Sequence, residues 1–126
     1  MRIVRLGTAR SRSEGLRIGT VRRPPRGVPK SQYAAQNWYD AWLPELAPSP
    51  RAVKLALAAR TKRQWAAFVR RYRAEMAAPE KVRILKLLAG LSQRADFSVG
   101  CYCADETHCH RSVLRALLKE QGARLA

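Results

Sequence analysis

Alternating apolar and polar positions predict three short strands in this chain. The first is RIVRL, at the start of the sequence, and the second is LRIGTV, which ends before a proline-rich corner. The third is DFSVGCYC. Residues two apart in a strand point the same way, so four side chains of the third strand share one face: Phe97, Val99, Cys101 and Cys103.

Apolar residues at steps of three and four predict helices from residue 31 to residue 91. Ser31 caps the first helix, which carries the aromatic residues of SQYAAQNWYDAW and ends at Pro44. Ser49, followed by a proline, begins the second helix. Thr61 and Gln64 form a capping box that begins the third.

Two further helices complete the pattern. Pro79 begins the fourth, and its broad apolar face consists of Ile84, Leu85, Leu87, Leu88 and Leu91. Thr107 caps the fifth, and Gly122 stands where a left-handed residue is expected to end it. The sequence therefore predicts five helices.

Strands near both ends of the chain, with helices between them, predict an α/β fold. We expect a single domain, residues 1–126, of small three-layer type, with a short, mostly parallel sheet covered by about five helices. The connection from the second strand to the third is long enough for a right-handed parallel crossover. The link from the first strand to the second, about nine residues, is short for one, so the strand order stays open.

An excess of positive charge indicates polyanionic partners. The chain has 25 Lys and Arg against 9 Asp and Glu, for a net charge of +16. Such a field attracts nucleic acid or phosphate-bearing small molecules, although a basic surface without a specific partner has the same composition. No apolar run is long enough to cross a membrane, and no secretory signal is present, so we expect a cytoplasmic protein with reduced thiols and no membrane partner.

The segment CYCADETHCHR holds every cysteine and histidine of the chain. If the last helix begins at its predicted cap, the amides of Cys109 and His110 point out of the helix N-terminus, where the positive end of the dipole lies. Arg111 adds a guanidinium that can bind an anion. This pattern predicts an anion site with Cys109 as the reactive thiolate and His110 as its catalytic partner. Cys101 or Cys103 would resolve an oxidised form of that thiolate.

Two other interpretations of the cysteine segment stay open. Three thiols and two imidazoles are sufficient to hold zinc, although their spacing is not that of the common structural zinc sites. The candidate zinc ligands are Cys101, Cys103, His108 and Cys109. Alternatively, Cys101 and Cys103 are small apolar residues on a buried strand face. The sequence therefore requires no cofactor and leaves zinc as the possible one.

A second candidate site is the loop RRPPRGV. Pro24 and Pro25 stiffen the chain, and Gly27 permits an unusual backbone angle after Arg26. A rigid loop that presents several arginines can clamp a phosphate group. A tight exposed turn with solvated arginines fits the same residues.

Three stretches together resemble the domain of unknown function 488 (DUF488) family, including its YeaO-like branch. They are RPPRGVPK, the block AWLPELAPS with WAAFVRRYRAEM after it, and CYCADETHCHRS, and they follow the family's order over most of the chain. The family's last motif is a cysteine, an acidic residue two positions later, and then Cys-His-Arg. The matching residues are Cys101, Cys109, His110 and Arg111. Cys103 stands at the acidic position, and Pro24 replaces an aromatic residue of the family.

The resemblance implies a compact α/β domain in which the two loops meet, so that Arg26 and the Cys-His-Arg corner share one pocket. We therefore expect a pocket for a phosphate-bearing, nucleotide-like ligand, with Arg26, Arg111 and Cys101 as binding residues and with thiolate chemistry as an option. The alternatives are a nucleic-acid-binding module that uses its basic face, with a structural cysteine cluster, and a zinc-stabilised domain. Whether the chain is an enzyme is not decided by the sequence.

Overall fold

All three predicted strands form, and a fourth strand of two residues joins them in one sheet. The structure, a computed structural model, describes residues 1–126. The strands are β1 (Arg2–Arg5), β2 (Leu16–Gly19), β3 (Ala41–Trp42) and β4 (Phe97–Cys101). Every pairing is parallel, and the order across the sheet is β1-β4-β2-β3. The predicted α/β fold with a short parallel sheet is confirmed.

Four α-helices accompany the sheet, together with 3-10 turns at residues 30–32, 44–46 and 106–108. The helices are α1 (Pro50–Ala58), α2 (Lys62–Met76), α3 (Pro79–Leu91) and α4 (His110–Glu120). One of the five predicted helices is therefore missing. None of the four helices combines the length and the hydrophobicity that crossing a membrane requires.

The predicted starts of α1, α2 and α3 are confirmed. The Ser49 side chain accepts the Ala52 amide at the start of α1. Thr61 and Gln64 form the reciprocal capping box of α2, and α3 begins at Pro79. In each case a side chain or a proline accounts for amides that have no partner within the helix, so local chemistry was sufficient to locate the start.

The helix predicted after Ser31 is wrong. Only the 3-10 turn Lys30–Gln32 forms there, and the chain then runs to β3. Asn37 has a φ of 62°, a left-handed conformation that interrupts a helix. The Asp40 amide donates to the Arg17 carbonyl, and the Asp40 carboxylate accepts the Arg17 amide, both at 2.8 Å. Hydrogen bonds to β2 thus override the helical spacing of the aromatic residues.

The strand order explains how a short link can join β1 to β2. β4 lies between them, and Val99 is opposite Ile3 on one side and Ile18 on the other. The two strands therefore flank β4 and do not pair with each other. Because all strands are parallel, β1, β4 and β2 end at one side of the sheet, near Arg5 and Cys101. We call this side the carboxyl edge, where open parallel sheets bind their ligands.

A buried ion pair holds the link between β1 and β2. Arg17 is 0 % exposed, and it donates to the two carboxylate oxygens of Glu14 at 2.6 Å and 3.0 Å. Glu14 also accepts the Ser98 hydroxyl of β4 at 2.8 Å. The guanidinium donates in addition to the carbonyls of Thr8 and Asn37. Both charges are therefore hydrogen-bonded, which is the condition for burying them.

The main apolar core contains 14 buried residues that come from both ends of the chain and from all four helices. On α2 the predicted apolar stripe is core, with Phe68, Tyr72 and Met76 buried. On α3 the buried face is narrower than predicted, because Leu87 and Leu91 are exposed. A smaller cluster lies under the carboxyl edge and contains Leu6, Val21, Tyr39, Cys101 and Cys109. Two of the three cysteines are therefore packed among apolar side chains.

Candidate functional site

An open cavity of about 1100 Å³ lies at the carboxyl edge of the sheet. Residues 5–8 after β1, the loop 21–26, and residues 101–103 after β4 line it, together with His110 at the start of α4. Trp38, the beginning of α1 and the residues just before α1 complete the wall. The two motifs that the sequence singled out, the arginine loop and the cysteine segment, thus face one space.

The arginine loop has one anchored guanidinium and two free ones. Arg22 donates to the carbonyls of Pro48 at 2.9 Å and of Ala47 at 3.1 Å, which ties the loop to the chain before α1. Gly27 has a φ of 69°, as its position after Arg26 predicts. Arg23 and Arg26 are exposed, and neither guanidinium donates to a protein acceptor. They are therefore available to a bound anion.

The charges around the cavity all have the same sign. Four arginines line it, Arg5, Arg22, Arg23 and Arg26, and no carboxylate does. A concave surface with charges of one sign concentrates ions of the opposite sign. The charged side chains of the cavity lining are therefore all positive.

The three cysteines lie close together at one wall of the cavity, which Cys101 and Cys103 line. Cys101 ends β4, Cys103 follows in the loop, and Cys109 is the residue before α4. Their sulfur atoms lie within 4.8 Å of one another, and the Sγ atoms of Cys101 and Cys109 are 2.6 Å apart. Cys101 and Cys109 are buried, whereas Cys103 is exposed. The solvent-facing thiol is thus Cys103, and three such sulfurs could hold a metal ion.

The last helix begins later than predicted, and Thr107 as its cap is wrong. Asp105 caps the 3-10 turn before it by accepting the Thr107 amide. α4 then begins at His110, with Cys109 as a cap residue that makes no side-chain hydrogen bond. The acidic turn ADE stabilises its own short 3-10 turn, and the helix start lies two residues beyond the expected place. The amides of His110 and Arg111 have no protein acceptor, whereas that of Cys109 donates to Glu106.

His110 connects the cysteine cluster to the sheet. Its Nε2 is 3.0 Å from the Thr20 carbonyl, which can only accept, so Nε2 carries the proton. The other ring nitrogen, Nδ1, is then free to accept, and it lies 3.8 Å from Cys109 Sγ. The geometry therefore places a hydrogen-bond acceptor beside the Cys109 thiol.

Arg111 is a buried cation without a carboxylate partner. It is 3 % exposed, it donates to the Cys103 carbonyl, and its Nε has no hydrogen-bond partner. Hydrogen bonds from Cys101 and then Cys109 lower the pKa of Cys103 well below its usual range, and the charge of Arg111 lowers it further. Hydrogen bonds to Cys103 and Cys109, together with burial, raise the pKa of Cys101. Both shifts favour a thiolate at Cys103 over one at Cys101.

Not all predicted site residues reach the cavity. Arg26, Cys101 and His110 line it, whereas Cys109 and Arg111 are buried behind it. His108 lies apart from the cysteines, exposed and 3.1 Å from an Asp105 carboxylate oxygen. Arg5, Trp38 and Tyr102 also line the cavity and were missed, whereas Cys103 was predicted only as a resolving thiol or a zinc ligand and Arg23 only as part of the arginine loop. The signal for Arg5 and Tyr102 was their position at the ends of parallel strands, which becomes informative once the strand order is known.

Comparison with known proteins identifies a family whose model matches almost the whole chain. The family model described as "DUF488-N3a: Active DUF488-N3 subclade" matches residues 1–122. No curated protein and no solved structure matches the chain. The matched range includes every strand and helix of the fold, the arginine loop and the cysteine segment.

Proposed function

From the premise that this chain belongs to the DUF488 family, we propose that its carboxyl-edge cavity binds a small phosphate-bearing ligand. The observation that carries the proposal is a cavity lined by four arginines and no carboxylate. Arg23 and Arg26 contribute most, because their guanidiniums have no acceptor within the protein. Such a fork of donors pairs with two phosphate oxygens at once.

The size and lining of the cavity favour a ligand larger than inorganic phosphate. Ligand pockets commonly have volumes of roughly 300 to 1,000 Å³, so a cavity of about 1100 Å³ has room for a mononucleotide. Trp38 and Tyr102 line it, and their rings lie edge to face with centroids 5.7 Å apart. An aromatic ring beside arginines suits a ligand that has a base or another flat group next to its phosphate. These features support a nucleotide-like ligand.

The thiols give the cavity an optional chemistry. Cys103 is the exposed sulfur at its wall, and it is the group that a bound ligand can meet. Cys109 Sγ lies within 4.8 Å of Cys103 Sγ, and His110 Nδ1 is 3.8 Å from Cys109 Sγ. The buried Arg111 donates to the Cys103 carbonyl. In this proposal Arg26 and Arg23 hold the phosphate, and Cys103 is the nucleophile available to the part of the ligand beyond it.

Addition of pyrophosphate or adenosine 5′-monophosphate is expected to raise the thermal unfolding midpoint. At a ligand concentration about one hundred times Kd the stabilisation is about 2.7 kcal/mol, which corresponds to a rise of roughly 10 °C for a domain of this size. Arg26→Gln and Arg23→Gln are each expected to weaken binding by about ten-fold or more, because each removes a charge-assisted hydrogen bond. Differential scanning fluorimetry with a ligand titration measures both effects.

Arg63→Gln on α2 is the matched control, since Arg63 is exposed and lies outside the cavity. It should leave the ligand-induced shift unchanged. No shift with either ligand would reject the proposal. If only an oligonucleotide shifted the midpoint, and Arg63→Gln weakened that effect as much as Arg26→Gln, the basic surface would be the binding site and the chain a nucleic-acid-binding module.

Zinc is the alternative occupant of the cysteine cluster. Two thiolates on one zinc ion, each about 2.3 Å from the metal, lie roughly 3.7 Å apart. The Sγ atoms of Cys101 and Cys109 are 2.6 Å apart, so a zinc ion bound by both would require them to separate by about 1 Å. Elemental analysis of protein purified without chelator tests this alternative: near-stoichiometric zinc would support a zinc-stabilised domain, whereas protein without zinc would leave the thiols free for chemistry.

A further inference from the structure

We propose that the three cysteines form a thiol–disulfide exchange site that reduces a low-molecular-weight disulfide. Cys103 is the entering nucleophile, and Cys101 and Cys109 become the internal disulfide. The reaction takes place at the cavity wall but does not require that an anion bind in the cavity. The exchange reaction can therefore be tested independently of the phosphate site.

Accessibility assigns the first step to Cys103. Its side chain is exposed at the cavity, whereas Cys101 and Cys109 are each 2 % exposed. A disulfide dissolved in water can meet only an exposed sulfur. The two buried thiols can act only after Cys103 has reacted.

Proximity assigns the second role to the buried pair. All three sulfur atoms lie within 4.8 Å, so a bond can pass from one to another through side-chain rotation. The Cys101 and Cys109 Sγ atoms are already 2.6 Å apart, and the sulfurs of a disulfide are about 2.05 Å apart. The two residues are thus arranged to form the final disulfide.

Positive groups around the loop favour a thiolate at Cys103. Arg111 is buried, donates to the Cys103 carbonyl and has no carboxylate partner. The amides of His110 and Arg111 at the start of α4 have no protein acceptor. Exposed cysteines near an arginine and a helix N-terminus are the reactive ones in proteins.

His110 supplies the base for the buried step. Its Nδ1 lies 3.8 Å from Cys109 Sγ, and its Nε2 donates to the Thr20 carbonyl. Because Nε2 carries the proton in the bond to Thr20, Nδ1 is unprotonated and its lone pair is directed to the Cys109 thiol. Cys109 can therefore lose its proton although it is buried.

The exchange proceeds in three steps. The Cys103 thiolate attacks one sulfur of the substrate, forming a mixed disulfide, and the other half leaves as a thiolate that takes a proton from water. Cys109 transfers its proton to Nδ1 of His110 and attacks Cys103 Sγ, and the second half of the substrate leaves with that proton. Cys101 then loses its proton to water and attacks Cys109 Sγ, which restores the Cys103 thiolate. The substrate gains two electrons and becomes two thiols, and Cys101 and Cys109 lose two.

The test uses the reduced full chain and one equivalent of 2,2′-dithiodipyridine, an uncharged disulfide. We expect two molecules of thiopyridone per chain, a protein mass lower by two hydrogens, and a Cys101–Cys109 link in the peptide map. Cys103→Ser, a change at an exposed side chain, should slow the reaction at least about ten-fold while leaving the thermal midpoint near that of the wild type. The double variant Cys101→Ser/Cys109→Ser should release one thiopyridone and keep the adduct on Cys103.

Three results would overturn the proposal: a wild-type rate in Cys103→Ser, a stable adduct on the wild-type chain, or unreactive thiols with stoichiometric zinc.

A parallel reaction with 5,5′-dithiobis(2-nitrobenzoate), which is anionic, separates this proposal from the phosphate site. For each probe, the rate with the protein is divided by the rate with free cysteine. If the arginines attract the anionic probe, this ratio should be higher for the anionic probe than for the neutral one, and the difference should disappear in Arg26→Gln. An internal disulfide formed equally well with both probes would support exchange while counting against the anion site.

Discussion

Replacing Glu14 by glutamine is expected to lower the free energy of unfolding by about 3 to 5 kcal/mol at neutral pH, which is the usual cost of breaking a buried ion pair on one side. Arg17 is 0 % exposed and donates to both carboxylate oxygens of Glu14. Glutamine keeps the shape but leaves the guanidinium charge buried without a counter-ion. It also turns an amide group towards Arg17, where only acceptors are useful. Urea unfolding followed by circular dichroism measures the loss.

The same pair predicts a pH dependence. Burial alone would raise the pKa of Glu14, but hydrogen bonds from Arg17, Ser98 and the Ser11 amide hold it below its ordinary value of 4.5. A carboxylate whose pKa is lower in the folded state contributes stability above its unfolded pKa and loses it as the pH falls through its folded pKa. The gap in stability between wild type and Glu14→Gln should therefore narrow as the pH is lowered below about 4.5.

Glu45→Gln provides the control for both measurements, because Glu45 is exposed and makes no ion pair. It should cost less than about 0.5 kcal/mol at neutral pH, as surface substitutions generally do. Equal costs for the two variants, or a gap that stayed constant in acid, would mean that the Glu14–Arg17 pair does not hold the link between β1 and β2.

Gly15→Ala is expected to destabilise the chain by about 3 kcal/mol or more, from a left-handed backbone angle and a steric clash together. Gly15 has a φ of 72°, and a Cβ atom there would lie 1.9 Å from the Asp96 carbonyl oxygen. Neither backbone can move without disturbing the adjacent pairing of Leu16 with Phe97, where β2 and β4 begin. The clash therefore cannot be relieved by rotating a side chain.

Gly27→Ala isolates the backbone contribution. Gly27 has a similar φ of 69°, but nothing lies within 4 Å of the position its Cβ would take. It should cost only about 1 to 2 kcal/mol, the price of the left-handed conformation alone. Chemical denaturation of both variants measures the difference, and similar losses would show that contact with the Asp96 carbonyl does not govern position 15.

Local sequence patterns located most of the secondary structure but not all of it. The starts of α1, α2 and α3 were predicted at the right residues, whereas the caps predicted at Ser31 and Thr107 were wrong. The segment after Ser31 was predicted as a helix and contains β3, because its backbone bonds to β2 and not to itself. β3 has two residues, too few to show an alternating pattern.

Some features of the candidate site were likewise predictable from the sequence, and others were not. Arg26, Cys101 and His110 were selected from the sequence, and the structure brings them to one cavity. Which thiol faces solvent was not predictable, because the helix after the cysteines begins at His110 and not near Thr107. In the structure Cys109, the residue before that helix, is buried, whereas Cys103, two residues beyond the end of β4, is exposed. The chemical roles of all these residues stay predictions until the thiol and ligand experiments are done.

The sequence by itself determined the residue types that any function must use and the α/β class, since charge, cysteine content and apolar periodicity are properties of short segments. Only the tertiary structure decided that β4 lies between β1 and β2. That placement is a contact between segments more than 80 residues apart along the chain, such as Ser98 with Glu14. It brings the ends of three strands to one edge, where the arginines and the thiols meet. No local pattern encodes such a meeting, because it depends on which distant surfaces bury each other best.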